Sequence, residues 1–265
     1  MEGPSNEVLD AFGLALPAVR LQGGQGETWR AGEVVVKRAD AETPWRAEVL
    51  NGLPESPDFR VARPVRARDG AWVAFGWEAS ELLAGATDVR RQDEVLTVAT
   101  AFHEAVAGLP RPDFLDARRD PWADGDRVAW REQSLDGSPA YVELVGPLVA
   151  AWRPVDLVAQ VVHGDLPGNV MFADGLPPAI IDWPVYWRPP SWAAAVAVAD
   201  ALCWYGAAPD LAARWAHLPE WGQMLVRALI YRMTTDELAG GAATWTDERR
   251  AAYAPVIELA LSYAA

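Results

Sequence analysis

One stretch constrains this chain more than any other: Val161-Val162-His163-Gly164-Asp165-Leu166-Pro167-Gly168-Asn169-Val170-Met171-Phe172, closed by Ile180-Ile181-Asp182-Trp183. Three polar residues, Asp165, Asn169 and Asp182, sit among apolar runs that read as short buried strands. Asp174-Gly175, flanked by Val170-Met171-Phe172 and Ala179-Ile180-Ile181, is a hairpin signal. A hairpin there returns Asp182 to the neighbourhood of Asp165 and Asn169. Carboxylates cost free energy when desolvated, so two of them on an apolar hairpin call for a cation or an acid–base task. One Asp to orient a hydroxyl, with an Asn and an Asp to hold Mg2+, is the working set of phosphoryl transfer.

The arrangement resembles the aminoglycoside phosphotransferase family, relatives of the protein kinases. Their catalytic loop reads H-G-D-x-x-x-x-N, and I-D-W or I-D-F follows a short hairpin. Here three residues, not four, separate Asp165 from Asn169, a shortened H-G-D-x-x-x-N loop similar to that of actinobacterial-type members. The competing reading is a chance H-G-D turn before a hairpin, and Asp182 in its expected place weighs against it. The resemblance implies that Asp165 acts on the acceptor hydroxyl and that Asn169 and Asp182 are metal ligands. His163 then supports the loop by hydrogen bonding.

The chain ahead of this stretch has the order the resemblance requires. A short helix is expected over Asn6 to Leu14, beneath a first sheet. Gly23, Gly24 and Gly26 follow, a cluster that lets backbone approach phosphates closely, although a glycine-rich hairpin is common in any β structure. By resemblance it is the turn over the nucleotide. Lys37 ends the strand Glu33-Val34-Val35-Val36 and is either a surface terminus or the lysine that contacts nucleotide phosphates. Thr43-Pro44 reads as N-cap and first residue of a helix ending at Gly52, with Glu48 as the expected partner of Lys37. Two strands are expected over 60–67 and 71–77. The next segment holds the place of an inter-lobe hinge, where backbone around Gly76, Trp77, Glu78 and Ala79 is expected to read the purine edge.

From Asp88 the texture turns helical. Val95, Ala99, Phe102, Val106 and Leu109 recur at three- and four-residue steps. His103, beside that stripe, reads as a packing or capping residue. Residues 110–126 read as a long connection, and Ser138-Pro139 opens a helix that Pro147 should kink or break. The segment after Asp182 is too proline-rich for regular structure; its aromatics and Arg188 either line an acceptor site or plug the lobe. Ser191 reads as the cap of the next helix. Within that helix Asp200 matches the family Asp that braces the catalytic loop, or is a solvated acid.

The expected fold is therefore α+β and protein-kinase-like, with a small β-rich N-lobe over 1–77, a hinge over 78–87 and a helical C-lobe over 88–265. The implied chemistry is Mg2+-dependent transfer of the γ-phosphoryl group of ATP (or GTP) to a small-molecule hydroxyl. A kinase-shaped nucleotide-binding protein without turnover, a pseudokinase, is the alternative. A protein kinase ranks lower, since the chain lacks the R of H-R-D and a long activation segment.

Composition narrows the partners. A formal net charge of −14 argues against phosphate-backbone binding and hence nucleic acid, and would steer a cationic acceptor, though acidic surfaces also serve solubility. No apolar run approaches the roughly 18 residues of a membrane span, so no membrane partner is expected. The acidic N-terminus lacks signal-peptide character, and the cytoplasm is the expected compartment. The lone Cys203 cannot form an internal disulfide and reads as a buried small hydrophobe. Of the 14 tryptophans most should be core.

Overall fold

The computed structural model describes residues 3–15, 17–21 and 28–265. The strands are β1 (Val19–Arg20), β2 (Thr28–Ala31), β3 (Val34–Arg38), β4 (Arg60–Val61), β5 (Val73–Ala74), β6 (Trp77–Glu81), β7 (Ala86–Thr87), β8 (Gln160–His163), β9 (Val170–Phe172), β10 (Ala179–Ile180) and β11 (Val185–Arg188). The helices are α1 (Asn6–Ala11), α2 (Thr43–Gly52), α3 (Gln92–Val106), α4 (Pro121–Ala129), α5 (Pro139–Ala151), α6 (Pro190–Trp204), α7 (Asp210–Arg214), α8 (Trp221–Gly240) and α9 (Asp247–Ala264). The fold is α+β, and the chain divides into two compact units: Met1–Thr87 with Asn169–Trp183, and Asp88–Gly168 with Pro184–Ala265.

The first unit is built on a sheet of order β1-β2-β3-β6-β5, antiparallel throughout. Period-two alternation sends Val36 into the core and leaves its neighbour Lys37 on the opposite face. Helix α1 lies on the core face, where Val8, Leu9 and Phe12 pack with Ala31, Val36, Trp77 and Ala79. A second sheet, β4-β10-β9-β7, contains the β9–β10 hairpin, with Gly175 in the left-handed conformation at its turn. The hairpin groups by its contacts with the first unit, where β4 and β7 flank it on either side, and not with the helical stretch from Asp88.

The second unit is organised around α8, which packs against α4, α5, α6 and α9. Met224, Leu225, Ala228, Leu229 and Tyr231 are all buried, and polar Gln223, Arg227, Arg232 and Thr234 on the same helix are buried with them. The stripe on α3 is core as expected, with Phe102 and Val106 fully buried. The tryptophans contribute as well: the Arg227 guanidinium lies 4.8 Å from the Trp130 ring and 4.5 Å from that of Trp152. No helix among the described residues is long and apolar enough to cross a membrane.

Four local expectations are corrected. The stretch 110–126 is not all connection, because Asp120 accepts from the Ala123 N–H at 2.8 Å and caps α4 ahead of Pro121. Helix α5 is not broken at Pro147, and Tyr141, Val145 and Leu148 on it are buried. The segment after Asp182 contains β11, paired antiparallel with β8; its prolines flank the strand without interrupting it. Ser191 lies inside α6, whose N-cap is Pro189.

Candidate active site

The first unit gathers Lys37, Glu78 and Asp182. Lys37 Nζ forms an ion pair with the Asp182 carboxylate, a residue 145 positions away in the chain. It also lies 3.4 Å from Glu78 Oε1, since Lys37 and Glu78 are direct cross-strand neighbours on β3 and β6. From α2, the Arg46 guanidinium reaches the same Glu78 oxygen at 3.2 Å. Arg46 is buried, yet its pKa is raised: desolvation opposes the charge, and Glu78, Asp40 and Glu42 outweigh it. The expected Lys37–Glu48 pair is therefore not formed. Glu48 accepts instead from Trp72 Nε1 at 2.9 Å and from Arg66 Nη2 at 3.3 Å. Position decides this: two residues round the helix from Arg46, Glu48 faces the β5 side and not Lys37.

Asn169 and Asp182 stand at the open end of one hairpin. The Asn169 carbonyl accepts from the Ile181 N–H at 3.0 Å, so Asp182 is the next residue along the facing strand. Asp182 has φ +43°, a left-handed conformation costly for a non-glycine residue. Gly168 takes φ +83°, in the left-handed region that favours glycine. A carboxylate and an amide oxygen are hard donors suited to Mg2+, which accepts one or two protein ligands and fills the rest with phosphate and water oxygens. Among the described residues no cluster of three or more His, Cys, Asp or Glu forms a fuller protein cage.

The purine-reading expectation for Gly76, Trp77, Glu78 and Ala79 is not supported by their backbone. Trp77, Glu78 and Ala79 lie in β6, an interior strand of the sheet, and Gly76 is in the turn that precedes it. The Gly76 carbonyl accepts from Ala39 and the Ala79 carbonyl from Val65, while Trp77 and Glu78 pair with both β3 and β5. The small lobe's last strand thus extends to Glu81, past the expected boundary at Trp77. Gly23, Gly24 and Gly26 lie outside the described residues.

In the second unit Asp165, of the H-G-D loop, is held through both its backbone and its side chain. The Asp165 N–H donates to His163 Nδ1 at 3.1 Å, and the His163 N–H donates to His103 Nε2 at 3.0 Å. Its side chain accepts from Arg232 Nη2 at 2.8 Å, and Arg232 is paired with Asp200 beneath it. Asp200 and Arg232 are both buried. Burial pushes the Asp200 carboxyl up to about 6 against the pull of Arg232, leaving it ionised at neutral pH. Gly164 is required by close approach, because a Cβ there would run into the Tyr186 ring. Arg188 is a plug: its guanidinium is bound by Asp126 at 2.8 Å and Glu132 at 2.7 Å.

Arg232, Arg46 and the bracing role of His103 were missed in the sequence. A signal existed for the first. Arg232 is a lone cation in Ala228-Leu229-Ile230-Tyr231-Arg232-Met233, and Asp200 a lone acid in an alanine-rich helix. Two opposite charges, each set within a short apolar run, call for one another.

His103 makes a pH prediction. Burial, reinforced by the neighbouring His163, drops its pKa from 6.5 to about 3, so it is neutral as it accepts the His163 N–H. A depressed histidine contributes stability above its unfolded pKa and loses it as pH falls from about 6.5 towards 3. At pH 5 the loss is about 2 kcal/mol. Asp200, with its raised pKa, acts with the opposite sign, so the measurement is comparative. Urea unfolding of His103→Gln at pH 7.5 and 5 is expected to show a smaller pH response than wild type; equal responses would remove His103 as the cause.

No protein-family model matches the sequence, and no curated protein is matched at a significant level. Solved structures do match. A thermostable mutant of aminoglycoside phosphotransferase APH(4)-Ia, in ternary complex with ADP and hygromycin B, superposes with TM-score 0.61 at 16% identity, covering 98% of this chain and 99% of that one. The amicoumacin kinase hAmiN, in complex with AMP-PNP, Ca2+ and Ami, gives 0.59 at 13% identity over 92% and 88%. Spectinomycin phosphotransferase APH(9)-Ia, in complex with ADP and spectinomycin, gives 0.57 at 12% identity over 93% and 92%. At these identities the likeness is one of fold. The chain has an aminoglycoside phosphotransferase-like, protein-kinase-like fold.

Proposed function

We propose that this chain is a phosphotransferase that moves the γ-phosphoryl group of ATP or GTP to a hydroxyl of a small molecule, with Mg2+. The observation that carries the reading is the Lys37–Asp182 ion pair in a chain of this fold. A strand lysine and a post-hairpin carboxylate have no local reason to meet; a triphosphate–metal site is a reason. Lys37 would neutralise phosphate oxygens, with Glu78 and not Glu48 as its anchor. Asn169 and Asp182 would hold Mg2+, which when bound spreads charge away from the β- and γ-phosphates.

Asp165 would orient the acceptor hydroxyl and receive its proton. The hydroxyl oxygen bonds to the γ-phosphorus, the bond from that phosphorus to the bridging oxygen breaks, and the nucleoside diphosphate leaves with the electron pair. Catalysis of this kind is mostly positioning and electrostatics. The −14 charge favours a cationic acceptor. The test is a phosphorylation screen of the purified protein against a library of hydroxyl compounds with Mg-ATP and Mg-GTP, read by mass spectrometry. Nucleotide binding without any phosphorylated product would favour the pseudokinase.

The corrected lysine anchor gives a second prediction. Glu78→Gln is expected to lower turnover about tenfold, some 1.4 kcal/mol of transition-state stabilisation. Glu48→Gln, at a carboxylate that accepts from Trp72 and Arg66, is expected to stay within about twofold of wild type on the same scale. Steady-state assays on both variants check this; the opposite ranking would restore Glu48 as the anchor.

A further inference from the structure

We propose that Arg232 is a positioning residue for phosphoryl transfer: it holds the Asp165 carboxylate in one orientation against a floor built by α6 and α8. The proposal rests on the function argued above and adds a residue to it. The Asp165 backbone is fixed by His163. Its side chain meets Arg232 Nη2 at 2.8 Å.

Arg232 is itself held rigidly. Its Nε donates to Asp200 Oδ1 at 2.8 Å and its Nη2 to Asp200 Oδ2, a two-point contact that fixes the guanidinium plane. Leu229, Ile230 and Met233, its neighbours on α8, are buried, so the helix cannot easily shift. Asp200 neutralises the buried cation on its own. The contact with Asp165 is therefore not needed to bury the charge, and its effect falls on the half-exposed loop carboxylate. A guanidinium presents donors in a planar fork and can serve two carboxylates at set angles; a lysine ammonium keeps the charge but not that geometry. This difference separates positioning from mere support.

The probe is Mg-ATP hydrolysis, with water as acceptor, measured on wild type, Asp165→Asn, Arg232→Lys and Arg232→Met. Affinity for Mg-AMP-PNP and thermal unfolding are measured alongside. Arg232→Lys is expected to unfold cooperatively and bind nucleotide within about threefold of wild type, yet hydrolyse about 10²-fold more slowly, the scale of a small misplacement of a reacting group. Arg232→Met is expected to show at least that loss with a lower unfolding temperature; should it fail to fold, the lysine variant decides alone. Hydrolysis by Arg232→Lys at the wild-type rate would overturn the proposal. So would a lysine variant that cannot fold, which would make Arg232 a purely structural residue. A wild-type rate no higher than that of Asp165→Asn, with nucleotide bound, would instead sink the reading of the site and the positioning role with it.

Discussion

Asp165→Asn is expected to lower phosphoryl transfer about 10³-fold while leaving Mg-nucleotide affinity within about threefold. The substitution removes the charge and the proton acceptor and little else. Asparagine Oδ1 can still accept from Arg232 Nη2, and the loop N–H still donates to His163. Arg232 keeps Asp200, so no buried cation is stranded. The fold should therefore survive, and the lost rate would report the chemistry of one carboxylate. Single-turnover kinetics and calorimetry on the same preparation test this. Unchanged turnover would mean that Asp165 does not act on the acceptor; equal losses in rate and affinity would make it a nucleotide ligand.

Asp182→Ala is expected to weaken Mg-nucleotide binding about 10²-fold, or about 3 kcal/mol, and to leave metal-free nucleotide binding unchanged or tighter. The asymmetry follows from the ion pair. Without metal, the Asp182 carboxylate occupies Lys37 and repels a triphosphate. Removing it frees the lysine for phosphate oxygens. With metal, the same deletion takes away the one protein carboxylate proposed as a ligand. Calorimetry with and without Mg2+ reads both signs. Equal losses in the two conditions would assign Asp182 a structural role, and its left-handed backbone offers one, since alanine tolerates φ +43° poorly. Asp182→Asn, which tolerates that conformation better, separates the two.

Much of the architecture was legible because it rests on local rules. The alternation that buries Val36 and turns Lys37 outward, the three- and four-residue stripe on α3, and the Asp174-Gly175 hairpin each lie within a few residues. Where local rules compete, composition points the wrong way. The Asp120 cap before Pro121 lay inside a stretch whose Pro, Asp and Arg content suggested a connection. Prolines at 184, 189 and 190 suggested irregular backbone, yet the four residues between them pair fully with β8.

By itself the sequence determined the chemical inventory and its order: a strand lysine, a helix, an H-G-D loop and a hairpin ending in Asp182. Those features are short-range, and their turn and periodicity signals survive without tertiary context. Only the tertiary structure decided who partners whom. Lys37 takes Glu78 because β3 and β6 set them directly opposite, and Arg46 completes that cluster while Glu48 turns to Trp72 and Arg66. Asp165 takes Arg232, 67 residues downstream, because α6 and α8 bury Asp200 and Arg232 against each other. Ion pairs across such distances leave no spacing to read. They are selected by burial, where a charge without a partner is too costly to remain.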